Sequence, residues 1–296
     1  MNSFLKLILN WKVLLTLLIM VFVIKIGSDT YKEYQWEHYL AGLEDTASPN
    51  VEILKDTLQI DYLSEKRTLR IYTPPGYQED SLRYPVIYFL DGQSLYNEKV
   101  QQGDEWQIDE VIDSITAMGG PGAIVVGIDN SNKRLTEYKP FLSEHVPSEK
   151  SVSGPAHADW IATDLKSWID EHYRTLPRPE HATIGGASLG GLMSWYMITH
   201  FPEVYGNAIV FSPSLWTGDQ VYTWQDKVND WSAKKVFINA GELEMPTVES
   251  GKKLQALLAE KGMTLENLLF DEEEEEGHWH MTWQKGFKKC YPWIIE

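Results

Sequence analysis

The sequence predicts an α/β protein, a doubly wound and mostly parallel sheet preceded by antiparallel strands. Three observations carry this. Pro85–Leu90 (PVIYFL) and Ala123–Ile128 (AIVVGI) are short, continuous apolar runs, the pattern of strands buried on both faces. Between and after them come helix patterns, the first with Trp106, Ile108, Val111, Ile112 and Ile115 on one face. Finally, His181–Leu192 (HATIGGASLGGL) passes from an apolar strand through a small-residue turn into a helix.

The N-terminus is read as a targeting segment, residues 1–28. Lys6 and Lys12 precede Val13–Ile24, whose only polar residue is Thr16, and Lys25 closes the run. Twelve helical residues span about 18 Å, short of the ~30 Å hydrocarbon core. Counted from Phe4 to Ile26 the helix reaches about 34 Å, enough if the lysines snorkel. No Ala-x-Ala-like cleavage site follows, which favours an uncleaved membrane anchor over a cleaved secretory signal. Either places the remainder outside the cytoplasm, in a bacterial periplasm or at the cell exterior. Residues 29–50 read as a short helix and spacer, and 51–296 as the catalytic domain.

Within that domain, Val51, Ile53, Leu58, Ile60 and Tyr62 suggest a strand or strand pair, and Arg67–Tyr72 another, ended by Thr73-Pro74-Pro75-Gly76. Asp91-Gly92 stops the strand at 85–90, and Gly119-Gly120-Pro121-Gly122 closes the first helix. Asp129–Pro155 is loop-like and, at 27 residues, too long for a passive connection; such loops belong to a site or a lid. Helix is predicted over Ala158–Tyr173 and from Leu189 to about Phe201, strand over Asn207–Phe211, Lys235–Ala240 and Thr264–Phe270. A helix over Thr247–Lys261 is capped by Gly262, and a last helix covers Trp283–Ile295.

The net charge of −17 argues against nucleic-acid partners and anionic lipid surfaces. Part of it sits in Asp271–Glu276, read as a solvated acidic loop. A single cysteine, Cys290, excludes an intramolecular disulfide and a thiolate metal cluster, and reads as a small buried hydrophobe. Nothing in the sequence calls for a metal or other cofactor.

Gly186-Ala187-Ser188-Leu189-Gly190 fits Gly-x-Ser-x-Gly, the nucleophile elbow, in which a strained strand-to-helix turn exposes a serine hydroxyl. A chain of this length meets the pattern by accident about one time in ten, so its setting must carry the reading. A serine needs a base and a group that orients the base. In this architecture they follow in the order serine, acid, histidine, each after a successive strand. Gly241-Glu242-Leu243-Glu244 leaves the strand at 235–240, and Gly277-His278-Trp279-His280 follows the last strand. An oxyanion needs two backbone donors: the amide of Leu189, after the nucleophile, and one from the loop after the 85–90 strand, at Gly92-Gln93.

At these residues the chain resembles a family of α/β hydrolases that includes enterochelin-type, feruloyl and acetyl-xylan esterases, esterase D and the mycolyltransferases. The matching stretches are Tyr84–Asn97, Ala123–Pro140, Ile169–Pro177, Thr183–Leu192, Phe211–Trp216 and His278–Trp283. The resemblance implies an α/β-hydrolase fold and a serine esterase acting through an acyl-enzyme. It selects Glu244 over Glu242, as the last residue of Gly-x-x-Asp/Glu, and His278 over His280, five residues before Trp283. It places Arg134 and Tyr138 in a family segment, offered with Trp216 as substrate-binding residues. The partner implied is a small-molecule or carbohydrate ester. An acyltransferase on the same scaffold and a non-catalytic hydrolase-fold binding protein are the competing readings.

Overall fold

The computed structural model describes residues 2–143, 145 and 151–296, with residues 2–10 and 12 described by backbone alone. The flanking Lys6 and Lys12 side chains, and six residues of the predicted 129–155 loop (144 and 146–150), lie outside the described residues. The chain divides into two units, Met1–Asp45 and Thr46–Glu296.

The first unit is built on one helix, α1 (Asn2–Gly42). The boundary drawn at residue 28 therefore falls inside a continuous helix. Residues 28–41 contain no proline or glycine to stop it, and the Thr30 hydroxyl donates back to the Ile26 carbonyl (2.9 Å) without breaking the ladder. By length and composition, Val13–Gly42 is long and apolar enough to cross a membrane.

The second unit holds an eight-stranded sheet: β1 (Val51–Ile60), β2 (Glu65–Tyr72), β3 (Val86–Leu90), β4 (Ile124–Ile128), β5 (Ala182–Ala187), β6 (Asn207–Phe211), β7 (Lys235–Gly241) and β8 (Leu268–Glu273). Their spatial order is β1-β2-β4-β3-β5-β6-β7-β8. β1 and β2 run antiparallel to their neighbours, and β3 to β8 are mutually parallel.

Why the central strands are apolar throughout is visible in β3. Val86, Tyr88 and Leu90 join one core, while Ile87 and Phe89 join the other. Period-two geometry sends alternate side chains to opposite faces, and both faces are covered. One face carries α2 (Ile108–Ala117) and α8 (His280–Ile295), through Ile108, Ile112, Phe287 and Tyr291. The other is packed by Trp160, Leu165, Leu192, Trp195, Leu254 and Leu258. These come from α4 (Gly154–Trp160), a π turn over Ile161–Leu165, α6 (Leu189–His200) and α7 (Met245–Glu260); α5 (Lys166–His172) continues α4 beyond the π turn. Between β4 and α4 lies the short α3 (Arg134–Glu137). Cys290 is a free, fully buried thiol, as its apolar setting predicted.

The acidic run departs from its reading as a solvated loop. β8 begins four residues later than predicted because Thr264–Asn267 folds into a turn, Asn267 Oδ1 accepting from the Thr264 amide (2.8 Å). The strand consequently runs through Glu273. Its acids are matched by lysines from the flanking helices: Lys252 on Glu272 (2.6 Å), Lys289 on Asp271 and Glu273 (2.8 Å each), and Lys285 on Glu276 (2.5 Å).

Candidate active site

A doubly wound sheet places ligand chemistry at the carboxyl ends of its parallel strands. There the chain leaves β5 at Ser188, β6 at Ser212, β7 toward Glu244 and β8 toward His278, while β3 exits through Asp91-Gly92-Gln93. Ser188 adopts φ 61° and ψ −118°, the strained conformation the elbow motif requires. Pairing to the β6 exit holds it there. The Ser188 amide donates to the Phe211 carbonyl (3.0 Å), and the Ser214 amide donates to the Ser188 carbonyl (3.1 Å). A Cβ on Gly186 would come within 2.7 Å of the Gly190 backbone, and one on Gly191 within 2.5 Å of the Phe211 carbonyl oxygen, so both must be glycine.

His278 donates from Nδ1 to Glu244 Oε2 (2.5 Å). That fixes the tautomer with the proton on Nδ1 and leaves Nε2 free to accept one. The carboxylate is itself held: Oε1 accepts from Ser212 Oγ (2.7 Å) and from the Gly241 amide (3.1 Å). Burial pushes the Glu244 carboxyl upward, but the bonds from His278, Ser212 and Gly241 outweigh it and keep it below the ordinary glutamate range. Trp283 meets the imidazole edge-on (5.5 Å between centroids, 88°) and donates its indole N–H to Ser212 Oγ (3.0 Å). The two alternatives left open by spacing are engaged elsewhere. Glu242 accepts from the Glu275 amide (2.9 Å), and His280 pairs with Asp104 (2.8 Å).

The Ser188 hydroxyl faces Ser214 Oγ at 3.4 Å, and among the described residues no hydrogen bond joins it to His278. The amides of Leu189 and Gln93 take no part in the backbone pairing of the described residues. Gln93 sits in a single 3₁₀ turn, Gly92–Ser94, entered through Asp91 at φ 60°. A side chain at Gly92 would strike the Gly127 backbone at 2.5 Å, which is why the loop can turn this tightly only there.

Arg134 and Tyr138, predicted to touch substrate, both bond to Asp91 at the start of this loop. Arg134 grips the Asp91 carboxylate through Nε and Nη2 (2.7 Å each), and its Nη2 also reaches the Ala187 carbonyl (3.4 Å). Tyr138 is 0 % exposed, and its hydroxyl accepts from the Asp91 amide (3.0 Å). These bonds hold the loop that carries Gln93 against the end of β5. Trp216 is 55 % exposed, two residues beyond Ser214. With Leu243, Met245 and Trp279, all exposed and flanking Glu244 or His278, it gives this end of the sheet apolar surface. Asp91 and Ser212 are the supporting residues that sequence reading passed over. Each begins the turn directly after a strand, in Asp91-Gly92 and Ser212-Pro213, and that position was the available signal.

Eight strands in this order, a serine on a strand–helix elbow, and a carboxylate–imidazole pair from the next strand ends define an α/β-hydrolase fold. Over residues 60–293 the chain matches the family described as "Putative esterase", and it belongs to that family; its class is carboxylic ester hydrolase. Among similar proteins, the uncharacterized protein YbbA of Bacillus subtilis (strain 168) is 24 % identical over 245 residues, which cover 79 % of this chain and 94 % of YbbA. In structure the chain is similar to the BES protein from Bacillus cereus (TM-score 0.69, 21 % identity, 86 % of this chain and 97 % of that one). It is also similar to the enterochelin esterase from Shigella flexneri (TM-score 0.65, 19 % identity, 84 % and 59 %).

Proposed function

We propose that this chain is a serine esterase that cleaves small-molecule carboxylic esters through an acyl-enzyme formed on Ser188. The observation that carries the reading is the 2.5 Å contact of His278 Nδ1 with Glu244, which orients an imidazole at the strand ends with Nε2 available as base. In this mechanism Nε2 takes the Ser188 proton as Oγ attacks the ester carbonyl, and the Leu189 and Gln93 amides receive the developing oxyanion. Collapse expels the alcohol, protonated by His278. Water, deprotonated by the same imidazole, then releases the acid. The hydroxyl must leave Ser214 for the imidazole, a contact that commonly tightens only with substrate in place.

An ester with an aryl or other flat apolar group suits the exposed Trp216 face, and the enterochelin esterase among the neighbours is named for a small-molecule ester. The apolar α1 acts as a membrane anchor in this reading; retention of the full chain in the membrane pellet after an alkaline wash supports it, and release into the supernatant sinks it. The central test is Ser188→Ala. The variant is expected to lose p-nitrophenyl ester hydrolysis by about 10⁴-fold or more, together with all fluorophosphonate labelling. Labelling that survives would assign the nucleophile elsewhere.

A further inference from the structure

Behind the catalytic wall, the loop that leads into α2 and the first turn of that helix bring three carboxylates together: Glu105, Asp109 and Glu110. One oxygen from each lies within 4.8 Å of the other two. Asp109 is 0 % and Glu105 4 % exposed. Two of the three carboxylates are oriented by donors from the segment before β1. The Thr46 hydroxyl donates to Glu105 Oε2 (3.0 Å), and the Ser48 amide donates to Asp109 Oδ2 (2.7 Å). Each of these carboxylates is thus held by one oxygen and bare at the other. Glu105 Oε1, Asp109 Oδ1 and Glu110 Oε2 are all buried from solvent with no hydrogen-bond partner. Among the described residues no lysine, arginine or histidine forms an ion pair with any of the three. Two buried acids and a half-buried one without an ion-pair partner are costly as anions.

We propose that Glu105, Asp109 and Glu110 form a binding site for a hard divalent cation, Ca²⁺ in preference to Mg²⁺. The ligand set is all oxygen, with no imidazole or thiolate, which disfavours Zn²⁺. Three carboxylate oxygens all within 4.8 Å of one another can converge on one ion bound at about 2.4 Å. Mg²⁺ retains several waters, and two of the three acids here are almost sealed from water, whereas Ca²⁺ accepts bidentate carboxylates and irregular geometry. The cation supplies the missing charge and satisfies the three bare oxygens together. Its place gives it a structural consequence. Asp104, next to Glu105, pairs with His280 at the start of α8, and Trp106 packs on Trp283, the ring that meets His278. A filled site fastens that loop behind the imidazole.

The test does not depend on ester hydrolysis, so it stands apart from the esterase reading. The full chain, purified in detergent and stripped with EDTA, is titrated with Tb³⁺ while luminescence sensitised by tryptophan is followed, and Ca²⁺ is then used as competitor. Thermal unfolding is measured with Ca²⁺, with Mg²⁺ and with neither. One saturable equivalent of Tb³⁺ displaced by Ca²⁺ is expected, with Tm rising roughly 5–10 °C at hundredfold excess of Ca²⁺ over its Kd. Asp109→Asn and, at the half-buried position, Glu110→Gln should each weaken binding at least tenfold. Glu274→Gln, at an exposed position of the acidic run, should not. Absence of saturable binding overturns the proposal, as does binding lost in Glu274→Gln but kept in the other two. So does a Tm raised by Asp109→Asn or Glu110→Gln in a chain whose wild type ignores Ca²⁺; the acids would then be a proton-sharing pair.

Discussion

Arg134 holds Asp91 in a two-pronged grip, Nε to Oδ1 and Nη2 to Oδ2, both at 2.7 Å, and Asp91 is the residue from which the Gly92–Ser94 turn begins. Lysine can keep the charge but cannot reproduce the fork. Arg134→Lys is therefore expected to lower kcat for p-nitrophenyl acetate about 10–100-fold by loosening the Gln93 amide, with KM changed less than about threefold. A variant whose KM rises while kcat holds would return Arg134 to direct substrate binding.

Ser212 donates to Glu244 while accepting from Trp283. Removing its hydroxyl leaves the carboxylate one donor short and frees the ring that borders the imidazole. Loss of kcat should follow the order Glu244→Gln, about 10²–10⁴-fold, then Ser212→Ala, about tenfold. Glu244 sits below its ordinary range when folded. The stability it contributes is thus complete above the unfolded carboxyl value near 4.3 and is lost as pH falls through the folded one. Steady-state kinetics of the two variants that show equal losses would contradict a supporting role for Ser212.

Three of the four glycines around the elbow, Gly186, Gly190 and Gly191, are not equivalent. Gly186→Ala and Gly191→Ala each drive a Cβ into backbone, and should cost about 3 kcal/mol or prevent folding. Gly190→Ala instead meets Asp91 Oδ2 at 3.4 Å and Leu90 Cβ at 3.5 Å, ordinary contacts, at a helical position where alanine is favoured. It should fold with a Tm within a few degrees of wild type. Urea denaturation of the three variants decides the matter, and a Gly190→Ala protein as unstable as Gly191→Ala would refute the distinction.

His157 is 1 % exposed, stacked between Tyr138 and Trp160, with Nδ1 bonded to the Tyr62 hydroxyl (2.9 Å). Burial, aided by the charge of Arg67, pushes it down to about 3. The unfolded chain then binds the proton first. Stability conferred by the neutral ring is complete above about 6.5 and falls with pH toward 3, by up to about 1.4 kcal/mol per pH unit. Replacing His157 with Gln should flatten that slope by one proton's worth. Denaturation at pH 7, 6 and 5 reads it directly, and identical slopes in both proteins would exclude His157 as the titrating group.

The fold was legible wherever a strand was buried on both faces, because continuous apolarity leaves few alternatives for runs such as Val86–Leu90 or Ile124–Ile128. The Glu244–His278 contact was legible for a different reason: chain order and strand ends constrain where these two residues can stand. What could not be read depends on partners distant in sequence. The Asp91–Arg134 grip spans 43 residues. Lys252, Lys285 and Lys289 pair with Asp271, Glu272, Glu273 and Glu276 in a run that looked like a free acidic loop. The length of α1 escaped reading because polarity changes near residue 28 while helical propensity does not.

An open sheet has two unfinished edges, and here each is closed to a further strand by a different device. At one end, β1 slips register between Leu54 and Leu58, with Asp56 at φ 48°, so its free side offers no even ladder for docking. At the other, β8 carries Asp271, Glu272 and Glu273 with the Lys252 and Lys289 ammonium groups paired to them, so a second copy laid along it would meet a charged edge rather than an apolar one. The same acids that gave the sequence its most conspicuous charge therefore guard the solubility of the fold, keeping edge-to-edge aggregation from starting where the sheet stops.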